Sequence, residues 1–523
     1  MMNRRDLLKK AINTQEFDII VIGGGATGLG CAVDAASRGL KVLLLEQQDF
    51  GKGSSSRSTK LIHGGLRYLQ QGNIKLVKEA LKERGLLMKN APHLVAERKF
   101  LIPLYHLYEG PFYGIGLKIY DTLAFSHGLE PSYFLDKEKV LEMAPEIKKK
   151  GLRGGLVYSD GQFDDSRLLI TLAHTAEDLG GICLNYIKVL DFIKEDALTK
   201  GVIAYDFITG QTHHFKAKIV VNATGVFSDA IRKQDDATAS CMMAPSQGIH
   251  LVLPKKFLSK EKAVLIPKTK DGRVLFLVPW LDRVLAGTTD TLKEHIELEP
   301  KPLEEEIDFI LGELGNYLET PATRSDVLSV FAGLRPLVKQ KSKSSKAISR
   351  DHVIEVTASN LVTIVGGKWT TYRKMAEDTI DACSEVLDIS WAPSKTEHIQ
   401  LHGYQDPSGH PQPFLSYGTD SKLIQEIMKE DENLKEFIHP NLPYSKAEVV
   451  FAVRHEMAFH LEDILSRRTR SLLLDAKSTL AAAPEVARLM ARELGLGAEW
   501  IDQELSAFRK LAENYCLIST KSF

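Results

Sequence analysis

The first residues that can do chemistry form a glycine-rich turn near the amino terminus. The pattern Gly23-x-Gly25-x-x-Gly28 lies between a short apolar run at 17–22 and a helical pattern, and Glu46 ends the next apolar run, 18 residues after the third glycine. Strand, turn, helix and terminal acid together predict a dinucleotide site, with pyrophosphate at the helix amino end and the acid on a ribose. A glycine turn without a ligand is the alternative, and this unit alone does not distinguish FAD from NAD.

A second chemical segment follows at 54–68, where the chain reads Ser-Ser-Ser-Arg-Ser-Thr-Lys-Leu-Ile-His-Gly-Gly-Leu-Arg-Tyr. Its hydroxyl groups, and the backbone at Gly64 and Gly65, would supply donors to a pyrophosphate and a flavin ring. A solvated loop is the alternative for the serines. Taken with the glycine turn, the segment favours a flavin nucleotide.

Several motifs resemble those of the FAD-dependent glycerol-3-phosphate dehydrogenases, and the resemblance covers about residues 17–515. They are the two segments above, Asn-Ala-Thr-Gly at 222–225, Gly-Thr-Thr-Asp at 287–290, Gly-Leu-Arg-Pro-Leu at 333–337, Gly-Gly-Lys-Trp-Thr-Thr-Tyr-Arg at 366–373 and the helical stretch 451–470. One departure is Val226, which follows Asn-Ala-Thr-Gly where the family usually has proline.

The resemblance implies an α/β fold. We expect a Rossmann-like FAD-binding domain of the D-amino-acid-oxidase-like type, an inserted β-rich substrate domain and a C-terminal all-α domain. The expected division is a basic segment at 1–16, the FAD-binding domain at 17–70, 151–245 and 345–387, the substrate-binding domain at 71–150 and 246–344, a linker at 388–418 and the helical domain at 419–523.

The activity implied is oxidation of sn-glycerol 3-phosphate to dihydroxyacetone phosphate, with the hydride passed to non-covalent FAD and the electrons to a membrane quinone. Oxidising a secondary alcohol requires a base, and His250 matches the family position for it. A buried structural histidine is the alternative. Arg335 and Lys368 are expected to act with it, since such cations bind phosphate and stabilise a reduced flavin.

Further site residues follow from the same resemblance. The substrate contacts expected are Arg67, Tyr68, Thr289 and Arg350. The cofactor contacts expected are Gly23, Gly25, Thr27, Gly28, Glu46, Ser55, Ser56, Ser58, Thr59, His63, Gly64, Gly65, Ala223, Gly225, Gly367 and Thr370. The acids Asp164, Asp165 and Glu304–Glu306 are interpreted as solvated, and no metal site is expected.

Composition excludes some classes of protein. The chain has 523 residues, enough for about three domains. Lys and Arg total 67 against 68 Asp and Glu, a net charge of −1 that argues against a nucleic-acid partner. The five cysteines lie far apart and indicate free thiols.

Membrane contact is an expectation of the resemblance, which implies a cytoplasmic protein held peripherally on the cytoplasmic face of the inner membrane. The segment 1–12 is basic and could touch anionic lipid, but a frayed terminus is favoured. The aromatic stretch 111–125 suits interfacial insertion or a quinone approach, with a core helix as the alternative. A homodimer through the helical domain is left open.

Three other functions remain at this point. One is a glycerol-3-phosphate oxidase that uses oxygen and produces hydrogen peroxide. The sequence offers no residue that distinguishes this oxidase from the dehydrogenase. Another is an amine or amino-acid oxidase, against which the number of phosphate-directed cations argues. The last is a non-catalytic flavin-binding protein, which His250, Arg335 and Lys368 make improbable.

Overall fold

A computed structural model describes residues 2–70, 72–124, 129–339, 352–407 and 414–517. The strands are β1 (Phe17–Ile22), β2 (Val42–Leu45), β3 (Leu61–Ile62), β4 (Val95–Leu104), β5 (Tyr133–Asp136), β6 (Gly154–Phe163), β7 (Ile182–Leu184), β8 (Ile187–Glu195), β9 (Leu198–Asp206), β10 (Gln211–Asn222), β11 (Ser246–Pro254), β12 (Ala263–Ile266), β13 (Leu275–Trp280), β14 (Arg283–Gly287), β15 (Thr291–Leu292), β16 (Ser329–Arg335), β17 (His352–Val356) and β18 (Leu361–Gly366). The α-helices are α1 (Arg4–Asn13), α2 (Ala26–Ser37), α3 (Leu66–Gln70), α4 (Ile74–Asn90), α5 (Glu109–Ala124), α6 (Lys137–Met143), α7 (Asp165–Asp178), α8 (Ser228–Asp235), α9 (Glu304–Tyr317), α10 (Tyr372–Leu387), α11 (Ser421–Glu430), α12 (Lys446–His455), α13 (Ser471–Leu474), α14 (Ala476–Leu494) and α15 (Ala498–Ala512).

The first sheet has a parallel centre in the order β18-β10-β1-β2-β7, with β17 antiparallel at the edge beyond β18 and the β8–β9 hairpin extending β10. Its central strands β1 and β2 are mostly apolar and buried, and the neighbouring helices α2, α7 and α10 pack against the sheet. Parallel strands place their carboxyl ends at one edge, so the turns after β1, β2, β10 and β18 meet there. The strands predicted at this edge are confirmed.

The second sheet is antiparallel except where β12 pairs with β4, and its order is β15-β11-β14-β13-β12-β4-β6-β3. In addition β16 pairs with β11, and β5 with β6. The antiparallel strands expected over 249–290 are confirmed. This sheet differs from the expected division in two respects. The short strand β3, which lies within the expected FAD-binding range 17–70, pairs with β6. The strand β6, which was also assigned to the FAD-binding domain, pairs with β4 over ten residues and is buried throughout. The first domain therefore resumes at α7, not at residue 151.

The amino-terminal segment is a docked helix, and the expectation of a frayed terminus is wrong. Arg4 of α1 is buried and ion-paired with Asp206 at 2.7 Å, and the apolar residues Leu7 and Leu8 are also buried. Arg5, Lys9 and Lys10 stay exposed. Within the described part of this segment, those three cations are the ones that face solvent.

The C-terminal region from α11 to α15 is helical, as expected, although the helix predicted near 446–465 ends at His455 and is followed by a π-helical turn over Asp463–Arg468. The expected linker is tied to α4 through Leu401 N–H, which donates to the Asn90 carbonyl at 3.0 Å. Within the described residues, no helix combines the length and the apolar character needed to cross a bilayer.

Buried ion pairs join the C-terminal helices to the first sheet. Arg468 contacts Asp49 at 2.6 Å, and Arg467 contacts the same carboxylate. Arg470 lies 2.5 Å from Asp164, which corrects the interpretation of that acid as solvated. Burial opposes ionisation of Asp49, yet the two arginines outweigh it and hold the pKa of this carboxyl well below its ordinary value.

Asp49→Asn should lower the free energy of unfolding by ~3–5 kcal/mol, because Arg467 and Arg468 would keep buried charges with fewer partners. The measurement is the thermal unfolding midpoint at neutral pH. Glu195→Gln, which removes the exposed partner of Lys216, is the matched control and should change the midpoint little. Equal midpoints for the two variants would contradict the role given to Asp49.

Candidate active site

The glycine turn after β1 leaves no room for side chains. Gly23 has φ of +112°, and a Cβ there would lie 2.7 Å from the Ala223 carbonyl oxygen. A Cβ on Gly28 would lie 1.9 Å from the Gly23 carbonyl oxygen. The main chain of β1, α2 and the turn after β10 is therefore packed backbone to backbone, which brings the amino end of α2 to the carboxyl edge of the sheet.

Glu46 lies at the end of β2, as predicted. Its carboxylate accepts from Gly24 N–H at 2.6 Å and from Gln48 N–H at 2.8 Å. Burial raises the pKa of Glu46, while these backbone donors oppose the rise. The acid therefore fixes the glycine turn from the side opposite Ala223.

A cavity of about 360 Å³ lies between this edge and the second sheet. The predicted site residues that line it are Thr27, Ser55, Ser58, Thr59, His63, Gly65, Tyr68, His250, Thr289, Arg335, Gly367, Lys368 and Thr370. The predicted residues outside its lining are Gly23, Gly25, Gly28, Glu46, Ser56, Gly64, Ala223 and Gly225. Arg350 and the side chain of Arg67 lie outside the described residues.

The polar side chains of the 54–60 segment after β2 make hydrogen bonds within the protein. Ser55 Oγ accepts from Ala26 N–H at 3.1 Å, and Ser58 Oγ donates to Asp165 at 2.7 Å. Lys60 is fully buried, and its Nζ donates to Asp165 and to the Ser56 carbonyl, both at 2.7 Å. Asp165 was expected to be solvated; it is instead the buried counter-ion of Lys60, a pairing that sequence spacing does not reveal.

His250 lies on β11 with its ring buried. Its Nε2 is 2.9 Å from Thr59 Oγ1, and its ring stacks on Phe331 with centroids 5.1 Å apart. On the neighbouring strand Gly287 makes room for it, since a Cβ there would lie 2.3 Å from the imidazole. Burial, then Arg335 and Lys60, hold the pKa of His250 well below its ordinary value. The imidazole is therefore neutral at physiological pH, as a base must be.

Arg335 ends β16 with its guanidinium against the turn after β14. It donates to the Thr289 carbonyl at 2.9 Å and to Thr288 Oγ1 at 3.0 Å, and it lies 3.3 Å from Asp290. The hydroxyl of Thr289 donates to Glu306 at 2.8 Å, so Glu306 is also a buried structural acid rather than a solvated one. Thr289 thus positions Arg335 through its main chain.

Lys368 follows the glycine pair after β18, and its Nζ lies 3.9 Å from the centre of the Tyr68 ring, in a cation–π contact. Gly367 has φ of +76°, and a Cβ there would meet Met375 Sδ at 2.3 Å. Nearby, the amide of His63 donates to Thr370 Oγ1 at 3.3 Å. These contacts bring the chain after β18 against the 63–68 segment.

Gly64 has a structural role that the sequence does not reveal. Its N–H donates to the Tyr120 hydroxyl at 2.9 Å, and Tyr120 in turn donates to Asp160 at 2.7 Å. A Cβ on Gly64 would lie 2.6 Å from that same hydroxyl oxygen. Tyr120 and Asp160 therefore hold the loop that carries His63, Gly65 and Tyr68.

The residues present fit a flavin dinucleotide. The close packing at Gly23 and Gly28 keeps side chains out of the turn, and Ala26 and Thr27 at the amino end of α2 line the cavity. A helix amino end stabilises phosphate charge. Lys368 adds a cation at the cavity wall, where it would stabilise a reduced, anionic ring.

Comparison with known proteins also indicates an FAD-dependent enzyme. A family model described as FAD dependent oxidoreductase matches residues 18–373, and one described as the C-terminal domain of alpha-glycerophosphate oxidase matches residues 361–501. The chain is 41% identical to the mitochondrial glycerol-3-phosphate dehydrogenase of Bos taurus over 534 residues, covering 95% of this chain and 73% of the relative. It is 38% identical to that of Saccharomyces cerevisiae, covering 94% and 88%.

One solved structure is similar over nearly the whole chain, and another over about three quarters of it. The glycerol-3-phosphate dehydrogenase from Bacillus halodurans complexed with FAD covers 99% of both chains with a TM-score of 0.76 and 27% identity. The FAD-bound L-alpha-glycerophosphate oxidase from Mycoplasma pneumoniae shares the fold over 73% of this chain, at a TM-score of 0.56 and 18% identity. With its glycine turn, cavity and matched relatives, this chain belongs to the FAD-dependent glycerol-3-phosphate dehydrogenase family, and its cofactor is FAD.

Proposed function

We propose that the protein oxidises sn-glycerol 3-phosphate to dihydroxyacetone phosphate. The observation that carries the proposal is the convergence of a neutral imidazole, His250, with the cations Arg335 and Lys368 on one cavity beside the dinucleotide turn. The relatives named above as glycerol-3-phosphate dehydrogenases support the choice of substrate.

The residues divide the chemistry between them. FAD, when bound, supplies the two-electron acceptor for the hydride. His250 takes the proton of the C2 hydroxyl at Nε2, the ring nitrogen on the side of Thr59. Arg335 is anchored by the turn after β14, and this holds its charge near the oxygen that loses the proton. The cavity lining carries Arg57, Arg273, Arg335 and Lys368 against Asp160 and Asp290, and this surplus of positive charge favours an anionic substrate.

We also propose a membrane quinone as electron acceptor. The outer face of α5 supports this: Tyr108, just before the helix, and Phe112, Ile115 and Ile119 are all exposed, at spacings of four, three and four residues. On the inner face Leu117 is buried, and Tyr113 reaches the cavity lining. The helix α5 thus has an exposed apolar face on one side and contributes to the wall of the substrate cavity on the other.

This face suits a peripheral contact with the cytoplasmic surface of the inner membrane. Aromatic and aliphatic side chains on one side of a helix insert at the boundary of headgroups and acyl chains. Lys118 on the same helix is exposed and could meet anionic lipid. Use of oxygen, as in a glycerophosphate oxidase, is the second candidate, favoured by the C-terminal domain match.

His250→Asn should retain FAD and slow its reduction by glycerol 3-phosphate about 10²–10⁴-fold, since the base is lost while the cavity keeps its shape. The measurement is anaerobic stopped-flow absorbance. His214→Asn, at an exposed position on β10, is the matched control. A wild-type rate in His250→Asn would remove His250 from the base role.

Phe112→Ser combined with Ile115→Ser should release the protein from anionic vesicles and lower turnover with a lipid-soluble quinone, because the exposed apolar face of α5 is lost. Turnover with a soluble dye should not change. Phe207→Ser with Ile208→Ser, at another exposed apolar pair, is the matched control. Vesicle binding that survives the α5 change would contradict this docking face.

Turnover in air should yield far less than one hydrogen peroxide per dihydroxyacetone phosphate when quinone is present, because a dehydrogenase passes its electrons to quinone rather than to oxygen. Peroxide and product are counted in the same reaction. A ratio near one in the presence of quinone would make the oxidase the correct assignment.

A further inference from the structure

The arginines of the cavity lining differ in how far the protein already uses their N–H groups. Arg57 is ion-paired with Glu299. Arg335 donates to the main chain and to a hydroxyl of the turn after β14, and it contacts Asp290. Arg273, which the sequence analysis did not single out, also lines the cavity, but its Nη1 is buried without a hydrogen-bond partner among the described residues.

The position of Arg273 is fixed by the turn that ends with it. Thr269 N–H donates to the Arg273 carbonyl at 2.8 Å, and Arg273 N–H donates to Thr269 Oγ1 at 3.1 Å. The guanidinium lies over the ring of Phe309 in α9, 5.1 Å from its centre. Asp271 engages Nε and Nη2 of the same guanidinium. The protein therefore holds the group from two sides and leaves Nη1 for another acceptor.

Strand register places Arg273 at the same end of the second sheet as Arg335. His250 and Phe276 both lie opposite Gly287, and Arg273 precedes Phe276 by three residues. Arg335 ends β16 opposite the first residue of β11. Since β13 runs in the direction of β11, both arginines lie beyond His250 at this end. Their strands are three spacings apart, about 14 Å at the main chain, so the two side chains flank one part of the cavity.

Glycerol 3-phosphate carries its reacting hydroxyl on C2 and its phosphate on the neighbouring carbon, so it needs cations at two places. Arg335 serves the oxygen that loses the proton. A buried N–H without an acceptor is costly, and a phosphate oxygen is the strongest acceptor for a guanidinium. We propose that Arg273 binds the substrate phosphate through Nη1 and sets the preference for a phosphorylated alcohol. This proposal rests on the proposed oxidation of glycerol 3-phosphate.

Arg273→Gln should raise the glycerol 3-phosphate concentration at half-saturation of FAD reduction about 10–100-fold and keep the limiting rate within about threefold, because a phosphate contact is the same before and during hydride transfer. Arg273→Lys keeps the charge without the planar fork and should raise that concentration only about threefold to tenfold. Anaerobic stopped-flow absorbance gives both quantities. A wild-type half-saturation in Arg273→Gln, or a loss confined to the limiting rate, would overturn the proposal.

Arg324→Gln is the matched control. Arg324 is also an arginine paired with acids, Glu304 and Asp308 of α9, each at 2.6 Å, but it is not part of the cavity lining. Its half-saturation should equal that of the wild type. The FAD content and thermal midpoint of Arg273→Gln should also be unchanged, and Arg273→Lys carries the test if the glutamine variant does not fold.

Glycerol, which lacks the phosphate, separates a phosphate contact from a general disturbance of the site. Its slow reduction of FAD should have the same efficiency in the wild type and in Arg273→Gln, so that the variant loses the preference for the phosphorylated alcohol. An equal loss of efficiency with glycerol and with glycerol 3-phosphate would contradict the role of Arg273.

A binding measurement separates failure of this proposal from failure of the proposed function. Calorimetric titration of the FAD protein with inorganic phosphate should show binding that Arg273→Gln weakens about tenfold or more. A wild type that binds phosphate through Arg273 but is not reduced by glycerol 3-phosphate would contradict the proposed reaction. A wild type that is reduced, with a phosphate affinity that Arg273→Gln leaves unchanged, would contradict the phosphate site.

Discussion

Asp49 and the charges connected to it hold three regions of the protein around one cavity. From the C-terminal region, Arg467 and Arg468 bind Asp49, and Arg467 also binds Glu462. Glu462 contacts Lys52 in the loop after β2, and Lys52 contacts Glu299 from the chain after β15. Buried charges are costly unless paired, so docking of the helices, the position of the loop after Glu46 and the placement of Glu299 depend on one another.

Arg57 connects this network of buried charges to the cavity. Its guanidinium lies 2.5 Å from Glu299, and its side chain is part of the cavity lining. Burial first, and then the charges of Arg335 and Lys60, lower the pKa of His250, and Asp165 compensates Lys60 within the protein. Arg335 is therefore both a cation of the cavity lining and one cause of the lowered pKa of the imidazole.

Local patterns in the sequence predicted the parts of the fold that depend on neighbours along the chain. Gly23, Gly28 and Glu46 lie where strand, turn and helix require them. The partners of β6 and of Lys60 were not predictable, because strand pairing and a buried counter-ion at position 165 are set by segments about 60 to 105 residues away. The exposure of Asp165 and Glu306 was also predicted wrongly, because both residues lie in acidic stretches that resemble solvated helix surfaces.

Oxidation of a phosphorylated alcohol at this site can be observed in an anaerobic titration of the purified FAD protein with sn-glycerol 3-phosphate, followed by visible absorbance. We expect the flavin band to bleach with one equivalent of this substrate and to stay unchanged with glycerol or an amino acid. Bleaching by glycerol or by an amino acid, or a flavin that remains oxidised with glycerol 3-phosphate, would contradict the assignment of His250, Arg335 and Lys368 to oxidation of a phosphorylated alcohol.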